Sequence, residues 1–148
     1  MSFLNPSQSY RRTALQTAPP GQLVLMLYEG TIRFLEQALA GFSKDDPLEF
    51  NGAINNNVLR AQEIIRELDR SLNVEAGGEL ANQLRRLYDY FDRRLTESNI
   101  KKDPDDIQEV ISRVTVLRTA WATMLKGTDH STAVGAGVGT LSGSGVLG

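Results

Sequence analysis

Cysteine is absent from the 148 residues and histidine occurs once, as His130. Without cysteine there is no disulfide scaffold and no thiolate zinc site, and the chain suits a reducing compartment. His130 falls in a Gly- and Ser-rich C-terminal stretch, so a Ser-His-Asp or Cys-His arrangement has no helix-borne base. The same scarcity removes a di-iron bundle, which needs Glu-x-x-His on two helices, and a phosphotransfer bundle, which needs a histidine on a helix face. Charge of one sign is also missing: 16 basic residues against 18 acidic give −2, without the electrostatic footprint of a nucleic-acid binder. Long apolar runs are missing too. The longest, Leu23 to Tyr28, falls far short of the ~18 residues of a membrane span. The stretch MSFLNPSQSYRRTAL lacks the charged-then-apolar order of a signal peptide. Gly77-Gly78 has neither the lysine nor the spacing of a phosphate-cradling loop, and reads as a tight turn with close backbone approach. These absences describe a soluble cytoplasmic protein that is not an enzyme. It has no catalytic residue, metal ligand or cofactor, no nucleic-acid partner and no membrane insertion.

What is present is helical periodicity. Pro19 and Pro20 suit a first turn, where backbone N–H groups have no partner anyway. Helix 1 then runs to about Leu39 and Gly41 ends it. Asp45-Asp46-Pro47 caps helix 2, whose Ile54, Val58, Ala61, Ile65, Leu68 and Leu72 mark one face. After a connection over 73–77, helix 3 runs from about Gly78 to Ser98 on Leu80, Leu84, Leu87, Phe91 and Leu95. A loop over 99–102 leads to Asp103-Pro104-Asp105-Asp106, a cap with acids at the positive end of the helix dipole. Helix 4 then carries Ile107, Val110, Val114, Leu117, Trp121 and Met124. Arg85-Arg86 and Arg93-Arg94 read as a solvated face paired with Glu79, Asp89, Asp92 and Glu97. Helices of about 20 residues joined by loops of about 4–6 residues imply antiparallel neighbours. The fold class is all-α, an antiparallel up-down-up-down four-helix bundle over 19–126. An N-terminal arm, 1–18, precedes it and a flexible Gly- and Ser-rich tail, 127–148, follows.

Helix 1 is wider than one bundle face requires. At ~100° per residue its apolar side chains, from Leu23 and Phe34 round to Ile32 and Leu25, cover an arc of roughly 200°, about twice the stripe of a core-facing helix. Either helix 1 is central and touches more than one neighbour, or the surplus is one wall of a groove for a partner helix. The arm, with Phe3, Leu4, Tyr10 and Leu15, is apolar enough to cover such a groove.

Ordered segments across residues 10–125 resemble the flagellar secretion chaperone family FliS. They include the Tyr10 arm, Thr17-Ala18-Pro19-Pro20-Gly21-Gln22-Leu23, Met26-Leu27-Tyr28-Glu29-Gly30 and Ile32-Arg33-Phe34-Leu35. Further along come Ala61-Gln62-Glu63-Ile64-Ile65-Arg66-Glu67-Leu68, Gly77-Gly78-Glu79-Leu80-Ala81, Leu87-Tyr88-Asp89-Tyr90 and Arg118-Thr119-Ala120-Trp121. The resemblance implies a chaperone that binds the C-terminal segment of flagellin, which is disordered when free and helical when bound. It also implies protection from premature polymerisation and contact with the cytosolic part of the flagellar export gate, with the arm as a cap. Ser98 stands where the family often has alanine, and the tail is not a shared motif. The candidate partner-binding residues are Leu4 and Tyr10 of the arm, Leu25, Ile32 and Leu39 on the surplus side of helix 1, and Ile64, off the main stripe of helix 2. The alternative is an oligomerising helical-bundle adaptor without a flagellin client; a homodimer stays open under either reading.

Overall fold

Proline opens three of the four helices in the computed structural model, which describes residues 20–72 and 74–132. The helices are α1 (Pro20–Gly41), α2 (Pro47–Arg70), α3 (Val74–Lys101) and α4 (Pro104–Thr132). The expected caps form. The Asp46 carboxylate accepts the Glu49 N–H at 3.0 Å, and Asp103 accepts the Asp105 N–H at 2.9 Å. Such caps satisfy donors that the helix itself leaves open.

Several boundaries differ from the expectation. Gly41 does end α1, but Gly78 is the only described glycine with a positive φ, so no left-handed cap requires Gly41. A Cβ on Gly41 would meet the Ala53 Cβ at 2.9 Å and the Ile54 nitrogen at 3.2 Å. The glycine is there because α2 crosses it. α3 starts four residues early and breaks at Gly78, whose φ of 56° and ψ of −132° suit only glycine. It also continues through 99–101, read above as loop, before Lys102 turns at φ 54°. α4 passes Lys126 and reaches Thr132. A glycine such as Gly127 costs a helix interior only about 0.5–1 kcal/mol, too little to stop one already extended. The arm 1–18 and the rest of the tail, 133–148, lie outside the described residues.

Each helix packs on its two neighbours, and α4 returns to α1. Contacts climb on one helix as they descend on the next. Gly41 meets Ala53 while Gly30 meets Ile64. Asn99 bonds Asn55 and Arg85 bonds Asp69. Arg94 reaches Asp106, and Tyr90 reaches Glu109. Trp121 bonds Gly21, and Arg118 faces Glu29. The stripes of α2, α3 and α4 fill the middle, where Ile54, Val58, Phe91, Leu95, Ile107 and Val110 are fully buried. Burying side chains of this size is worth about 1.5–3 kcal/mol each and is the main driving force of the fold. Two buried polar side chains are tied to the backbone or to a neighbouring hydroxyl. Thr31 donates to the Leu27 carbonyl, and Gln62 donates to the Asp92 carbonyl and the Thr96 hydroxyl.

Candidate functional site

The wide arc of α1 is largely accounted for by its two neighbours. Gly30, Phe34 and Gly41 lie on the flank facing α2, where Arg60 sits over the Phe34 ring. Gly21 and Glu29 lie toward α4. Ile32 and Leu39 are half-buried and packed against the core, as is Ile64, whose Cδ1 would lie 3.2 Å from a Cβ on Gly30. Leu25 is half-buried and stands outside that core cluster. At ~100° per residue, Leu25, Ile32 and Leu39 share one flank of α1, while Ile64 packs on the other. The structure therefore does not bring these four candidates into one surface. Leu4 and Tyr10 lie outside the described residues.

Charged chemistry is mostly self-paired. Glu109 accepts from the Tyr90 hydroxyl at 2.7 Å, from Arg94 at 2.7 Å and from Arg113 at 2.9 Å. The tyrosine bond, then Arg94, hold its carboxyl down at about 2. Arg94 also grips Asp106 at 2.7 Å. Asp106 is thus turned inward to α3 and is 9% exposed; it was expected only to cap. Arg85 pairs with Asp69 and Arg66 with Asp92, across helices, so the arginine face draws partners from α2 and α4 as well as its own helix. These pairs occupy the polar groove between α2 and α3, the larger hollow at about 470 Å³. Among the described residues no cluster of His, Cys, Asp and Glu could hold a metal ion.

A surface feature that can take an apolar group lies at the end of the bundle where α1 and α3 begin and α2 and α4 approach their ends. It is a cleft of about 160 Å³ with walls from Val24, Leu72, Leu80, Leu84 and Trp121. The polar links between α3 and α4 lie toward the opposite end, at Tyr90, Arg94, Asp106 and Glu109. Here Trp121 instead ties α4 to the start of α1, its indole N–H donating to the Gly21 carbonyl at 2.8 Å. The Gly78 break lets the first turn of α3 bend, with Gly77 on the rim. Tyr28 and Tyr88 form part of the lining, their hydroxyls joined across the bundle at 2.6 Å. Burial raises both phenols, so both stay protonated. None of the sequence candidates lines this cleft, although Leu25 adjoins Val24. Leu72, Leu80, Leu84 and Trp121 were read as core stripe, and Tyr88 sits one position beyond its stripe residue Leu87. No signal in the sequence marks the cleft, because an apolar stripe turns Leu84 and Trp121 inward without showing whether a neighbour closes over them.

Comparison with known proteins gives one consistent answer. Residues 3–128 match the family model "Flagellar protein FliS". The chain is 40% identical over 121 residues to the flagellar secretion chaperone FliS of Bacillus subtilis strain 168, covering 82% of this chain and 86% of that one. It is 30% identical over 119 residues to that of Vibrio cholerae, covering 77% and 84%, and 32% identical over 109 residues to that of Salmonella typhimurium, covering 74% and 78%.

Proposed function

Because this chain belongs to the FliS family of flagellar secretion chaperones, a family of chaperones and not enzymes, we propose that it binds the C-terminal segment of flagellin in the cytoplasm. Binding there keeps flagellin from polymerising early and assists its delivery to the flagellar export apparatus, with contact to the cytosolic part of the export gate. The mechanism is coupled folding and binding. An amphipathic segment gains helix as its apolar side chains enter grooves of the bundle, and part of the gain offsets the cost of ordering it.

The observation that carries this reading is the family match over nearly the whole bundle, and the apolar cleft beside Trp121 supports it. Leu4 and Tyr10 belong to the arm that caps the binding surface when the client is away. Leu25, Ile32, Leu39 and Ile64 are the helix-borne positions assigned to the client, and the cleft adds a further contact. No described helix is long and apolar enough to cross a membrane. The test is calorimetric titration with the C-terminal segment of the cognate flagellin, with helicity followed by circular dichroism. Binding near one to one, a negative heat-capacity change and a gain of helix are expected. A well-folded sample that ignores the segment at high micromolar concentration, and sediments as a stable homodimer, would replace this reading with the oligomerising bundle.

A further inference from the structure

The cleft is apolar except for a small set of side-chain hydrogen-bond donors, and all but one of their protons are committed. The Trp121 indole N–H goes to the Gly21 carbonyl. The Ser71 hydroxyl donates to the Leu68 carbonyl at 2.7 Å. Tyr28 and Tyr88 remain, and they bond each other at 2.6 Å. One such bond uses one O–H as donor and the other oxygen as acceptor. The accepting tyrosine's own O–H is then left over, whichever way the pair is oriented. Among the described residues it meets no third partner. The two residues are only 2% and 3% exposed, and buried polar groups are almost always hydrogen-bonded because leaving one unmet is costly.

We infer that the Tyr28–Tyr88 pair determines which part of the client enters the cleft, by donating its spare hydrogen bond to a neutral acceptor carried beside a large apolar side chain. The inference rests on the client reading above. A volume of about 160 Å³ is close to that of an apolar cavity that accepts a benzene ring, so one aromatic or branched aliphatic side chain fills it. The acceptor is an amide or carbonyl oxygen rather than a carboxylate, because an ionised group without a cation is costly among apolar walls. Tyr88 also borders the polar groove between α2 and α3, where the basic side chains Arg85 and Arg66 are held by Asp69 and Asp92.

The experiment compares the wild-type protein with the double variant Tyr28→Phe/Tyr88→Phe in titrations with the flagellin C-terminal segment. Removing both hydroxyls leaves no orphaned group, so the variant keeps its helicity and melting behaviour. Its affinity for the segment falls about fivefold to tenfold, the range of one neutral hydrogen bond. Equal affinity in the two proteins overturns the inference and leaves the proposed function standing. Failure of the wild type to bind overturns the proposed function first, and the inference with it. Should the double variant misfold, the wild type labelled at the tyrosine Cζ decides. Segment binding that shifts the Tyr28 and Tyr88 resonances supports the inference, and binding that leaves them unmoved refutes it.

Discussion

Gly41 and Gly52 are both helical, and the same added methyl group should move stability in opposite directions at the two positions. At Gly52, inside α2, a Cβ meets nothing within 4 Å, so Gly52→Ala should stabilise by about 0.5–1 kcal/mol through helix propensity and a less flexible unfolded chain. At Gly41 the new carbon would sit 2.9 Å from the Ala53 Cβ and 3.2 Å from the Ile54 nitrogen. Neither neighbour is the loose end of a long side chain, so α1 and α2 must move apart. Overpacking of this kind costs about 1–3 kcal/mol. The propensity gain at the last residue of a helix recovers only a few tenths of that, leaving Gly41→Ala destabilised by about 1–2 kcal/mol. Urea unfolding followed by far-UV circular dichroism measures both, with unchanged m-values expected. If Gly41→Ala equals or exceeds the wild type in stability while Gly52→Ala gains, close helix crossing is not why position 41 is glycine.

Glu109→Gln should lower stability at neutral pH by about 1 kcal/mol, a charged hydrogen-bond value discounted for partial exposure. The Glu109 carboxyl lies at about 2, below its ordinary 4.5, so its contribution is full above about pH 4.5 and disappears as the pH falls toward 2. The gap in urea midpoint between wild type and variant should therefore shrink from pH 7 to pH 3; a constant gap would refute the assignment. Gly78→Ala should cost about 1–3 kcal/mol although open space surrounds the site, because φ 56° and ψ −132° penalise an L side chain. D-alanine placed there by semisynthesis should instead match or exceed glycine in melting temperature.

The fold was legible because three- and four-residue apolar steps report directly which side of a helix is inward. Ile54, Val58, Ala61, Ile65 and Leu68 are all buried, as that rhythm requires. The proline starts were legible for a similarly local reason. The partners of Arg94 were not. Spacing within one helix points to Glu97, which stands 3.9 Å away, while Asp106 and Glu109 from α4 come within 2.7 Å. The width of α1 showed that two sides were apolar, but only the placement of α2 and α4 shows how much of each is covered. The cleft was hidden for the same reason. Periodicity says that Leu84 and Trp121 face inward, and it carries no information on whether neighbouring helices close over them.

The Trp121–Gly21 bond joins residues 100 apart in sequence, whereas Arg85 and Asp69 across α2 and α3 are 16 apart. Closing the longer loop costs about 1.6 kcal/mol more in chain entropy. Three of the four main helix contacts join helices consecutive in the chain; the fourth, a seam between α1 and α4, is closed by side-chain packing and, among the described residues, by the Trp121–Gly21 hydrogen bond and the Arg118–Glu29 ion pair. That seam is the joint chain entropy favours least, and it borders the cleft. With no loop to join its two helices, that seam is kept shut by packing and these two polar contacts, and α4 is packed more extensively on α1 than on α3.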